Sequence, residues 1–316
     1  MNHPCDSMVL CGIDGGNSLG FLAALGALRT LTLAWPDDEV AISWTREGGI
    51  FRPRLHARRT MDTKAVVEAL HVELRGMAGH PAFGLADNLN VTPAHFHDYA
   101  ISAVGAANNA SDKNRGRIWA DYAAAFGSDA TINSLGKEAT IQDTALRTMS
   151  GAGHQHFLKF MRDLIVATDV SHLHHALFEE WRYEDDGRGL NMRWDPEDDR
   201  RYALRWRDPS SDPSRTVRGA NRLAIEAIPV LVSVPAGTRL ETTGFANRGR
   251  DGVFWTWPIW NAPLSLAATS SLLAFGGLYD DNYNPGSRIS MGIVAIYRSQ
   301  RIRIGKFRNF TPAEQI

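Results

Sequence analysis

The chain has 316 residues, 44% hydrophobic and 22% charged, a balance that excludes a disordered or fibrous protein and allows a sizeable core. Its net charge of −1 excludes the bulk electrostatic field of a general nucleic-acid binder, so any basic surface has to be local.

In chain order, residues 8–13 suit a short buried strand. Asp14-Gly15-Gly16 then turns the chain, and Asn17 or Ser18 caps the next segment. Leu19, Phe21, Leu22, Leu25, Leu28 and Leu31 keep helical spacing with Ala and Gly between them, which predicts a helix buried nearly all round. Segments 39–45 and 50–57 flank Arg46-Glu47-Gly48-Gly49, a hairpin signal. Helical patterns follow at 63–77 and 93–107, then a polar loop at 108–117, then helices at 118–126, 154–167 and 172–181.

From 184 to 213 the chain is dense in charge and proline, with short strands expected at 190–194 and 202–207. A helix at 220–227 is followed by strands at 230–234, 239–245 and 253–257, a helix at 264–275, and strands at 289–297 and 301–307. The class is α+β: a helix-rich N-terminal half with a hairpin, and a strand-rich C-terminal half. The composition change divides the chain into regions 1–182 and 183–316.

The two cysteines, Cys5 and Cys11, have no second pair with which to build a zinc site. They read as thiols in a reducing compartment. No charged-then-apolar leader precedes Met8, and Gly20, Gly26, Arg29, Thr30 and Thr32 interrupt the apolar stretch 19–35. The expected location is the cytoplasm.

Several groups of residues invite a chemical reading. The turn GIDGGNSLG lacks the Lys-Ser/Thr ending of a Walker loop and is not G-x-G-x-x-G. It resembles the first phosphate loop of the actin-like kinase fold, but there the turn joins two strands, whereas here an apolar helix follows at once. Its glycines are therefore expected to serve packing, with a nucleotide-binding regulator as an alternative. His154, His156, His172, His174 and His175 are metal candidates, yet only His172 and His175 have i, i+3 spacing and no HExxH motif joins them.

The acidic run Asp185, Asp186, Asp195, Glu197, Asp198 and Asp199 raises a metal-dependent nuclease as a second alternative. It interleaves with Arg188, Arg193, Arg200 and Arg201, so charge pairing explains it with less. No G-x-S-x-G elbow is present, and no catalytic centre, metal or cofactor is assigned.

Basic residues recur in bursts beside aromatics, and these are the candidate nucleic-acid contacts. Arg52, Arg54, His56, Arg58 and Arg59 lie in and after the second hairpin strand, and Lys113, Arg115 and Arg117 in the polar loop. Arg201, Arg205 and Arg207 surround Trp206, with Arg215, Arg218 and Arg222 following. Arg298, Arg301, Arg303, Lys306 and Arg308 close the chain. Guanidinium groups suit phosphate contacts, and on a strand Arg301 and Arg303 share a face.

Several segments together resemble a known family. LCGIDGGNSLGFLAALGALR (10–29), RWDPEDDRRYALRWRDPS (193–210), GANRLAIEAIP (219–229), FWTWPIWNAPLSL (254–266) and YRSQRIRIGKFRNFTP (297–312) are similar to large-subunit-type proteins, or their shorter relatives, of type I-G (formerly I-U) CRISPR effector complexes. The resemblance implies a non-catalytic subunit of a crRNA-guided DNA surveillance complex in antiviral defence. Its implied partners are crRNA, target DNA, the other effector subunits and a helicase-nuclease, and its implied work is motif reading, strand opening or nuclease recruitment. The chain departs from a typical large subunit in being short and in ending on strands where a helical bundle is usual.

Overall fold

The computed structural model describes residues 6–134, 138–149, 156–183, 190–196, 216–280, 284–304 and 307–316. Strand β1 (Asp6–Val9) runs through the glycine turn into α1 (Ser18–Ala34), in which every residue from 18 to 31 is buried. Asn17 caps the helix, its side-chain oxygen accepting from the Gly20 amide at 3.0 Å. A helix apolar on all sides needs neighbours on all sides, and the remaining elements supply them.

The expected hairpin is β2 (Ala41–Glu47) and β3 (Ile50–Ala57), turned by Gly48 and Gly49 at φ 57° and 86°, the left-handed values a two-residue hairpin turn requires. Helices α2 (Thr63–Gly76), α3 (Pro93–Asn109), α4 (Lys113–Gly116) and α5 (Ile118–Phe126) follow. A ribbon that sequence patterning misses, β4 (Gly127–Asn133) with β5 (Thr140–Asp143), precedes α6 (Phe157–Ala167) and α7 (Val170–Phe178). Next come α8 (Arg218–Ala227), the ribbon β6 (Ser233–Ala236) and β7 (Arg239–Thr242), then β8 (Phe245–Asn247) and β9 (Val253–Trp260). The remaining elements are β10 (Leu264–Ser265), α9 (Leu266–Leu273), α10 (Pro285–Ser290), β11 (Ile293–Ile304), β12 (Phe307–Phe310) and β13 (Glu314–Gln315). The class is α+β, helices concentrated in the first half and strands in the second, as the patterning predicts.

Two antiparallel sheets carry the fold, one ordered β1-β3-β2-β10 and the other β12-β11-β9-β8 with β13 paired to β11. Phe21 of α1 joins them: its ring lies about 6 Å from those of Trp44 on β2 and of Trp255, Trp257 and Trp260 on β9. Two of these indoles also fix the register between sheets, Trp257 donating to the Gly15 carbonyl at 2.8 Å and Trp260 to the Ile42 carbonyl at 2.9 Å. On its other side α1 meets α8, where a Cβ built on Gly26 would lie 1.8 Å from the Leu223 carbonyl oxygen. The buried cluster thus draws on residues from both 1–182 and 183–316.

Several expectations need correction. The strand expected at 8–13 occupies Asp6–Val9, and residues 10–13 turn instead, the Ile13 amide donating to the Leu10 carbonyl at 3.1 Å. Residues 190–194 form no strand: Arg193 sits at φ 60°, and the Met192 amide donates to the Asn221 side chain instead of a neighbouring strand. The strand expected at 230–234 starts only at Ser233, because a 3-10 turn around Pro229 (Ile228–Val230) extends α8. The polar stretch 108–117 holds α4, started by the Asp112 side chain. Finally, 289–297 and 301–307 are not two strands. Pro285 opens α10, Gly292 at φ 77° releases the chain, and β11 is then one strand of 12 residues, paired with β9 over 293–301 with an irregularity between Ile293 and Ala295. The strand expected at 202–207 lies outside the described residues. Among the described residues no helix is long and apolar enough to cross a membrane.

Candidate nucleic-acid interface

The candidate arginines separate by what holds them. On β3, Arg52, Arg54 and His56 share the face opposite the core side chains Phe51, Leu55 and Ala57. Arg52 donates to the Ile13 carbonyl at 2.9 Å, and Arg54 leans towards the Ser7 hydroxyl at 3.4 Å. His56 bonds the Ser43 hydroxyl across the strand pair at 2.8 Å. Burial, and then the neighbouring Arg54 charge, push its imidazole below the ordinary value. Arg58 is paired with Glu39 at 2.7 Å, and Arg59 covers the Trp35 ring at 4.5 Å.

The polar-loop residues are committed to their neighbours. Arg115 makes two 2.7 Å bonds to Glu73 on α2, and its hydrogen bond to that carboxylate raises the guanidinium above its usual value. Arg117 pairs with Asp121 at 3.0 Å, and Lys113 donates to the Asn108 carbonyl at 2.8 Å. Arg218, half-buried, donates to the Ala167 carbonyl at 3.3 Å. Arg222, expected in a basic surface burst, is fully enclosed at 0% exposure between Glu226 and the Leu74 carbonyl. Arg201, Arg205, Arg207, Arg215 and Lys306 lie outside the described residues.

At the end of the second sheet the arginines converge. Arg301 and Arg303 lie two apart on β11, and Phe310 and Arg308 oppose them on β12, so all four share one face. Arg301 donates to the Arg147 carbonyl at 2.8 Å, and Arg308 reaches the same oxygen at 3.3 Å. The Arg147 guanidinium itself is bound to Asp143 and, at 2.7 Å, to Asn90. Burial first, then Arg308, pushes the Arg301 guanidinium down to about 9, so it remains a cation at neutral pH. Burial likewise lowers Arg308, and Arg147 and Arg303 add to the effect while Asp143 opposes it. The Arg301 Nε is buried without a partner. Arg301 also lines a cleft of about 400 Å³, shared with Asp143, Arg239 and Glu241. Arg147 stands alone in sequence, so the patterning had no signal for it.

The other candidate centres resolve into local structure. Asp195 is 2% exposed and accepts from the Asn17 side chain and from the Tyr183 hydroxyl, each at 3.0 Å. Asp185, Asp186 and 197–199 lie outside the described residues. His172 completes the capping box of α7 with Asp169, and His174 bonds Glu179 at 2.9 Å. His175 is 3.7 Å from the same carboxylate, and His154 lies outside the described residues. Among the described residues no group of three metal-ligating side chains forms. The glycine turn is filled by protein: a Cβ on Gly20 would sit 2.3 Å from the Asp14 carbonyl, and one on Gly15 would sit 2.6 Å from the Trp44 ring.

No known protein family, no curated protein and no solved structure matches the chain.

Proposed function

We propose that this chain is a non-catalytic, cytoplasmic nucleoprotein subunit that holds a nucleic-acid backbone against the arginine cluster at the end of its second sheet. The observation that carries the reading is the convergence of Arg301 and Arg308 on the backbone carbonyl of Arg147, whose own guanidinium is near enough to weigh on Arg301 and Arg308, with Arg303 exposed beside them. Guanidinium groups gathered at this spacing repel one another, and an anion placed among them relieves both the repulsion and the missing hydrogen bond at the Arg301 Nε. A phosphodiester backbone is the anion such a row suits, since phosphate contacts fix register without reading sequence.

The sequence resemblance supplies the context: a crRNA-guided surveillance complex, with crRNA or target DNA as the bound strand and other effector subunits and a helicase-nuclease as partners. Sequence reading then falls to base pairing, and this chain contributes position.

Two measurements test the reading. Purified from a host that expresses its operon, the protein should carry other effector subunits and RNA; recovery of the chain alone and free of nucleic acid overturns the assignment. In binding titrations over a salt series, Arg303→Ala should weaken binding alike for all sequences and reduce the log–log salt slope by about one. Arg117→Ala, whose side chain is paired with Asp121, should leave that slope unchanged.

A further inference from the structure

Arg29, Glu226 and Arg222 form an ion triad inside the helical layer, at 4%, 3% and 0% exposure. The Glu226 carboxylate is shared: Oε2 accepts from Arg29 at 2.6 Å and Oε1 from Arg222 at 2.9 Å. Two guanidinium groups therefore stand on one carboxylate, and the triad carries a surplus positive charge. Arg222 is sealed, its other amino group held by the Leu74 carbonyl at 3.0 Å. Arg29 gives one donor to Glu226, lays its face over the Tyr122 ring at 5.4 Å, and lines a cleft of about 500 Å³. The surplus charge is thus presented at the floor of that cleft.

A buried triad of this kind is costly to desolvate, and well-packed apolar residues often do as well or better for stability. Here it is built against an open volume in the range of small-ligand sites, roughly 300–1,000 Å³. Half of the lining is apolar, including Leu33, Pro36, Val230 and Leu266, while Asn114 and Ser270 bring polar groups. Arg117 and Asp121 also line it but neutralise each other in a 3.0 Å ion pair, which leaves Arg29 as the surplus cation. A smaller cavity of about 220 Å³ on the Glu226 side is lined by Glu73, Glu226 and Arg115, and Arg115 gives two 2.7 Å bonds to Glu73, so no surplus cation faces it.

We propose that the cleft between α1, α5 and α9 binds a small organic anion, a carboxylate or a phosphate monoester bearing an apolar or planar body, with Arg29 as its charge partner. The site is separate from the arginine cluster of β11 and β12, and the inference does not depend on the nucleic-acid reading.

The test is calorimetric titration of the full chain with adenosine 5′-monophosphate and with hexanoate, against the uncharged analogues adenosine and hexanol. At least one anion should bind saturably in the millimolar range or tighter and outbind its uncharged analogue, and which anion does so decides between phosphate and carboxylate. Arg29→Gln should weaken that binding at least tenfold. Ala267→Trp, an exposed wall position, should block it without moving the unfolding midpoint, so the question stays answerable if the Arg29 variant fails to fold. Absence of saturable binding by both anions, equal binding of the uncharged analogues, or unchanged affinity in a folded Ala267→Trp protein overturns the proposal.

Discussion

Glu226 and His56 show how single side chains tie this protein's stability to pH. Burial works against the Glu226 charge, and Arg222 and Arg29 together more than reverse that, so the carboxyl is held below its ordinary 4.5. A depressed acid stabilises the fold above its unfolded pKa, and the contribution is lost as pH falls through the folded value. His56 is depressed by burial and by Arg54, and His80 chiefly by burial, each from 6.5. For an imidazole held neutral, stability is present above 6.5 and is lost as pH falls towards the folded pKa. The thermal midpoint should therefore decline from neutral pH to mildly acidic pH, well before the carboxylates titrate. His56→Gln, which keeps a polar partner for Ser43, should flatten that early limb, and an unflattened limb would assign it to other groups.

Among the elements, α1 is the one most fully fixed by its own residues. Its leucines and Phe21 at helical spacing and its Asn17 cap make the helix, and Gly26 sets how near α8 can come. A methyl at Gly26 meets the Leu223 backbone rather than a flexible side-chain end, so the helices have to move apart. Gly26→Ala should cost about 1–3 kcal/mol, the usual range for overpacking, read from urea unfolding. The hairpin and α5 were legible for similar reasons, since Gly48-Gly49 dictates the turn and the 118–126 pattern repeats at helical spacing. The segment around Arg193 was not, because its conformation is set by Asn221, which lies 29 positions beyond Met192 along the chain. The basic bursts were visible as composition, but composition cannot separate Arg115, locked to Glu73, from Arg301, held beside Arg308.

At the level of the whole molecule, the two sequence regions are joined through the aromatic cluster of Phe21, Trp44, Trp257 and Trp260 and through the contact of α1 with α8. Trp44 belongs to the first sheet and the other three indoles near Phe21 to β9, so loosening either sheet exposes the same rings. Unfolding monitored by tryptophan fluorescence and by far-ultraviolet circular dichroism should therefore give coincident transitions, as one cooperative unit requires. Separated midpoints would show that the regions unfold independently.

Local patterning by itself determined the α+β class, the buried first helix, the hairpin and the packing role of the glycines. These come from periodicity, capping and turn residues, all of which act over a few neighbours along the chain. Only the tertiary structure decided which arginines are spent on carboxylates and which gather at β11 and β12, and it alone assembled Arg29, Arg222 and Glu226. The physical reason is range. A charge acts through space on whatever the fold brings within a few ångströms, and those partners lie up to 197 residues apart in the chain.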